Sequence, residues 1–151
     1  MYNKILVPID GSDTSVLGLD EAIKIAKNQG STIRLVHIVD EYVLDYAYSP
    51  GLYATNVIET MRATGQSVLD KAEARVRESG VQVESVLQET IGGPAADLIV
   101  AQAKAWPADL IVIGTHGRRG LRRLAVGSDA EQVLRSSPVP VLMVRRPEKA
   151  A

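Results

Sequence analysis

The chain has 151 residues, 46% of them apolar, and no cysteine, so it is long and apolar enough for a core built without disulfides, and thiolate metal sites and cysteine nucleophiles are excluded. A formal net charge of −1 argues against a nucleic-acid partner, because phosphate contacts demand a basic face. The apolar part of the N-terminal MYNKILVPID is too short for a signal sequence, and no run of about 18 apolar residues occurs, so neither export nor membrane insertion is expected. A single domain over 1–151 in a reducing cytoplasm is the expectation.

In chain order, KILVPI (4–9) reads as a first strand, rich in Val and Ile and of strand length. A helix starts near Ser12 or Asp13, carries Leu19, Ala22, Ile23 and Ala26 inward and ends at Gly30. TIRLVHIV (32–39) is a second strand. DEYVLDYAYSPGLYATNV (40–57) reads as irregular, longer than a connection requires and holding four of the five tyrosines. It suits a lid or a protein-partner surface. Ile58, Met61, Gly65, Val68, Leu69, Ala72 and Val76 recur at helical spacing on one face. VQVESVLQ (81–88) is a third strand. GGPAAD (92–97) opens a helix with Pro94 at an early helical position, and Trp106-Pro107 ends it. DLIVIG (109–114) is a fourth strand; Ser128 caps a fourth helix that carries Val133 and Leu134 inward and stops before Pro138, and VPVLMV (139–144) is a fifth strand.

Strands alternating with helices imply a parallel sheet covered on both faces, since parallel neighbours need right-handed crossovers. The nearly continuous apolar runs 4–9 and 109–114 belong at its centre. In such a sheet, ligands bind beyond the carboxyl ends of the strands where strand order reverses. Pro8-Ile9-Asp10-Gly11-Ser12, Ile38-Val39-Asp40 and the residues from Gly114 onward are therefore brought to one edge.

The stretch GTHGRRGLRRLAVGS (114–128) lies on that edge. Gly114 and Gly117 permit positive φ and close approach of backbone N–H groups to phosphate oxygens. Gly127 and Ser128 stand where a helix begins, with free N–H donors and the positive end of its dipole. Arg118, Arg119, Arg122 and Arg123 add four positive charges; forked guanidinium groups suit phosphate, and a solvated loop would suit them as well. The glycine spacing is neither the dinucleotide fingerprint nor a P-loop. On its own it is compatible with turn chemistry alone.

The pattern Gly114-x-x-Gly117, nine residues, then Gly127-Ser128 resembles the nucleotide-binding pattern of the universal stress proteins. The blocks KILVPIDGSDTS, LVHIVDE, DLIVIGTHGRRGL and GSDAEQVLRSSPVPVLMVRR follow in the family's order. Pattern and resemblance together give an α/β, Rossmann-like fold: a five-stranded parallel sheet of order 3-2-1-4-5 with helices on both faces. The resemblance implies ATP, or AMP or ADP, as ligand. It places Asp10 with Pro8 and Ile9 against the nucleotide, Ile38 by the adenine, and Ile113, Gly114, His116, Gly117, Gly127 and Ser128 around ribose and phosphates; Arg118, inside the glycine loop, joins them on the chemistry of its guanidinium. Asp129 adjoins this set; its carboxylate would repel a triphosphate, and pointing to solvent it matches the helix dipole. Asp10 either caps a turn or contacts the ligand, where with the phosphates it would share a Mg²⁺.

His37 inside its strand reads as a packed residue with one bonded ring nitrogen, and His116 as a phosphate contact or a turn residue. No complete set for acid–base, metal or nucleophilic catalysis emerges, so at most slow ATP hydrolysis is expected. An apolar edge strand must be paired or covered, and the resemblance implies pairing of 139–144 with its copy in a homodimer. The leading expectation is a nucleotide-responsive stress-response dimer. The alternatives are a nucleotide-free module binding an unknown protein partner and a weak ATPase or nucleotidyl- or phosphoryl-transfer enzyme.

Overall fold

The computed structural model describes residues 1–41, 52–115 and 127–148. In chain order its elements are β1 (Lys4–Pro8), α1 (Asp13–Gln29), β2 (Thr32–Asp40), α2 (Leu52–Glu78), β3 (Gln82–Thr90), α3 (Ala95–Ala105), β4 (Leu110–Gly114), α4 (Ser128–Ser136) and β5 (Val141–Val144). The strands form one sheet of order β3-β2-β1-β4-β5 with every pairing parallel. The expected strand order is the one observed, with β1 at the centre between β2 and β4.

Side chains alternate across the two faces of a strand. Ile5 and Val7 of β1, with Leu110 and Val112 of β4, pack with Leu19 and Ala22 of α1 and with Leu69 and Val76 of α2. Leu6, Ile111 and Ile113 pack on the opposite face with Ala96 and Ile99 of α3 and with Ala130 and Val133 of α4, whose Leu134, expected to face inward, is 51% exposed. Both central strands are covered on both sides, which is why their sequences are almost continuously apolar. Trp106 C-caps α3, is 8% exposed, and has the Arg34 guanidinium 4.7 Å and the Lys4 ammonium 5.4 Å from its ring centroid. Among the described residues, no helix is long and apolar enough to cross a membrane.

Local signals account for most boundaries. Ser12 N-caps α1, its hydroxyl accepting from Ser15 N at 3.2 Å, and Gly30 closes the helix at φ 70° with its N–H on Ala26 O. Three expectations need correction. The segment 40–57 is not irregular throughout: Asp40 closes β2, and α2 begins at Leu52. Tyr53, Thr55, Asn56 and Val57 have low helix propensity and set no clear periodicity before Ile58, and the extended helix overrides that preference. The lid-or-partner reading of 42–51 lies outside the described residues. Pro94 stands one position before its helix, as N-cap at φ −67° and ψ 132°. β5 begins at Val141 rather than Val139, since Pro140 has no N–H to donate, although its carbonyl accepts from Ile111 N at 3.0 Å.

Candidate functional site at the carboxyl edge of the sheet

The loop after β1 is a compact turn. Asp10 Oδ1 accepts from Ser12 N at 2.8 Å, Gly11 takes φ 83°, and Ser12 then caps α1. The capping reading of Asp10 is thus realised, and the carboxylate has further interactions. Beneath this turn, the His37 ring is buried; its Nδ1–H donates to Ile9 O at 2.7 Å, while Ile9 N donates to Val36 O at 2.8 Å. His37 is the packed, bonded residue expected, and it grips the backbone of the loop. Pro8 is half-buried at the end of β1. Ile38, also half-buried, packs toward the face covered by α3 and α4.

β4 delivers the next part. Ile113 is 6% exposed and packed with Ala130 and Val133, so it offers the edge its backbone. Gly114 is not in the positive-φ region, against expectation. It is glycine because the first turn of α1 lies on it: an added Cβ would fall 2.5 Å from Thr14 O and 2.6 Å from Thr14 C. Gly18 repeats the contact one turn further on, where a Cβ would lie 3.2 Å from Gly114 N. Sequence reasoning missed Gly18; a glycine inside an otherwise regular helical pattern is its only signal. Thr115, also missed, continues the ladder with its N–H on Val144 O at 3.0 Å.

α4 closes the edge. The expected cap, Ser128, is instead the exposed first helical residue, and Gly127 is the N-cap at φ −56° and ψ 144°. That conformation is open to any L-residue. The chain is positioned by a backbone bond from Gly127 N to Thr115 O, and no side chain caps the helix. The first helical bond runs from Glu131 N to Gly127 O, so the N–H groups of Ser128, Asp129 and Ala130 have no acceptor within the helix. Asp129 is exposed in the first turn, where its charge suits the dipole. Asp10–Ser12, Gly114 and Gly127–Asp129 therefore converge through two close backbone contacts. His116, Gly117 and Arg118 lie outside the described residues. Among the described residues, no group of three or more His, Cys, Asp or Glu could hold a metal ion.

Ion pairs flank this edge on both sides. Arg146, beyond β5, meets Asp13 in the first turn of α1 at 2.6 Å. On the β3 side, Arg62 of α2 bonds both carboxylate oxygens of Glu89, at 2.5 and 2.9 Å, and reaches Glu41 at 3.4 Å. The hydrogen bond from Arg62 holds the Glu89 carboxyl below its ordinary pKa and raises that of Arg62. A carboxyl with a lowered folded-state pKa stabilises fully above its unfolded value and loses that stabilisation as pH falls through the folded one. Thermal unfolding from neutral pH downward should therefore show wild type above Glu89→Gln, with the gap closing below about pH 4. A gap that persists in acid would show that the charge pair is not its source.

A parallel sheet of this order, with helices on both faces and loops converging at one carboxyl edge, defines a Rossmann-like α/β protein. The chain belongs to the universal stress protein family, whose model matches residues 1–145. It is 37% identical over 150 residues to "Universal stress protein MJ0531" of Methanocaldococcus jannaschii, covering 99% of this chain and 85% of that one. Among solved structures it is similar to the universal stress protein UspA from Lactobacillus plantarum, with TM-score 0.81, 26% identity, and 95% and 98% of the two chains covered. The universal stress protein from Archaeoglobus fulgidus in complex with dAMP superimposes with TM-score 0.66 and 26% identity, covering 95% and 98%.

Proposed function

We propose that this chain binds an adenine nucleotide, ATP foremost, at the carboxyl edge of its sheet, and that binding rather than turnover is its activity. The observation that carries the reading is the start of α4: amide groups without acceptors inside the helix, no side-chain cap, and a direct backbone tie to the end of β4 beside the Asp10 turn. Such a helix start is suited to phosphate. The relative from Archaeoglobus fulgidus, solved with dAMP, supports adenine as the base.

In this reading Asp10 and the Pro8–Ile9 backbone face the nucleoside and Ile38 lies by the adenine. Gly114, His116, Gly117, Arg118, Gly127, Ser128 and the backbone of Asp129 surround ribose and phosphates. A Mg²⁺ would arrive with the phosphates, since Asp10 alone offers one carboxylate, a number that suffices only when phosphate oxygens share the ion. β5 is an edge strand of the sheet with Leu142 36% exposed, and its pairing with a second copy would make the unit a homodimer responding to nucleotide in the cytoplasm. Hydrolysis is at most slow.

Mass spectrometry of nucleotide released on denaturation, followed by calorimetric titration of the emptied protein with ATP and Mg²⁺, tests the proposal. Gly127→Asp is the informative variant. An N-cap aspartate satisfies the α4 amides itself and sets a negative charge against the phosphates. ATP should bind about tenfold more weakly, roughly 1.4 kcal/mol, while the unfolding midpoint holds or rises. No bound nucleotide and no heat with ATP at about 1 mM, a level at which even weak sites of about 4 kcal/mol register, would overturn the reading.

A further inference from the structure

We infer that Thr115 supplies a hydroxyl ligand to the phosphoryl group held at the start of α4. The inference rests on the nucleotide reading of this edge and adds to it a side chain at a position that the glycine pattern leaves open. Thr115 is 2% exposed, and its Oγ1 is buried with no hydrogen-bond partner among the described residues. Buried hydroxyls in folded proteins are almost always bonded, so one that is not points to a group that arrives from outside.

The position of Thr115 says where that group sits. Strand alternation places its side chain on the face of Ile111 and Ile113, the face where Ala130 and Val133 of α4 pack. Its carbonyl accepts from Gly127 N, which fixes it directly beside the N-cap of α4. The hydroxyl, without a partner among the described residues, thus stands beside the amides of Ser128, Asp129 and Ala130, which have no acceptor within their helix, and one tetrahedral anion has enough oxygens for both. The backbone of Thr115 is held on both sides, by Val144 O and Gly127 N, so the hydroxyl is positioned before any ligand comes. A strand end buried next to Ile113 would be filled as well by valine, which has the same shape and strand preference. What threonine adds there is the O–H.

Thr115→Val removes the hydroxyl and keeps the shape, and Thr115→Ser keeps the hydroxyl. With nucleotide-stripped protein, Thr115→Val should bind ATP about tenfold more weakly, as expected for the loss of one hydrogen bond to a charged group. Its ligand-free unfolding midpoint should hold or rise, because an unsatisfied buried hydroxyl has been removed. Thr115→Ser should recover most of the affinity. Adenosine, which has no phosphate, should bind wild type and Thr115→Val alike, while inorganic tripolyphosphate should raise the midpoint of wild type more than that of Thr115→Val. A response to tripolyphosphate without one to ATP would assign the hydroxyl to a free phosphate rather than to a nucleotide. Equal ATP affinities in wild type and Thr115→Val would overturn this inference and leave the nucleotide reading standing. A lowered midpoint in ligand-free Thr115→Val would overturn it too, since the hydroxyl would then serve the fold. Failure of wild type to take up either ATP or tripolyphosphate would overturn both.

Discussion

Gly114→Ala is expected to lose about 3 kcal/mol of stability, at the upper end of what overpacking costs, together with nucleotide binding. The added methyl would stand 2.5 Å from Thr14 O, 2.6 Å from Thr14 C and 3.0 Å from Ser15 N. These are backbone atoms and cannot turn aside as a side chain would. The turn that carries them is fixed by the Ser12 cap and by the Asp10 side chain on Ser12 N. Nor can α1 pivot, because Gly18 touches Gly114 from the next turn of the same helix. Relief requires α1 to lift off β4, which loosens the packing of Leu19 and Ala22 over Val112. Urea unfolding would show a lower midpoint at unchanged slope. Gly30→Ala is the control: nothing lies within 4 Å of its added Cβ, only the φ of 70° opposes it, and about 1 kcal/mol is the expected loss. Equal losses in the two variants would mean that backbone conformation, not close approach, makes position 114 glycine.

The same position shows where sequence reading stops. The strands were legible because each carries its own signal, Val and Ile at strand length, and β1 and β4 announce by their unbroken apolar runs that both faces are covered. Ser12 and Gly30 were legible because caps act within one turn of the chain. Gly114 falls on the ligand edge by its place at the end of β4, but the positive φ expected of it is not adopted, and the contact with Thr14 that does require glycine joins segments about 100 residues apart and leaves no local trace. The N-cap of α4 fell one residue early for a related reason: Ser128 is the better capping side chain, but the bond from Gly127 N to Thr115 O decides where the helix turns in. Propensity also failed at the start of α2, where Tyr53, Thr55 and Asn56 read as loop. Thr115 was invisible because a threonine after a strand is unremarkable until its burial and missing partner are seen.

Gly65→Ala carries the second large effect, and its sign is the test. In a solvent-facing helix position the change would stabilise by about 1 kcal/mol through propensity alone. Here α2 lies on the His37 ring, and the new methyl would be 2.6 Å from His37 Cδ2, 2.9 Å from Nε2 and 3.0 Å from Leu87 Cδ1. If the ring gives way, it strains or breaks the 2.7 Å bond from its Nδ1–H to Ile9 O. Losing a buried hydrogen bond and overpacking the site together exceed the propensity gain, so a net loss of about 2 kcal/mol is expected. The displaced carbonyl belongs to the residue before Asp10, so ATP affinity should fall as well, although position 65 is on the far side of the ring from the loop. His37→Ala removes the ring and opens the space the methyl needs, so Gly65→Ala should cost little in that background. A double-mutant cycle would then return a coupling of about 1–2 kcal/mol. Additive losses would mean that the methyl strains α2 itself. A gain in stability from Gly65→Ala alone would show that the ring moves freely and that His37 does not set the position of Ile9.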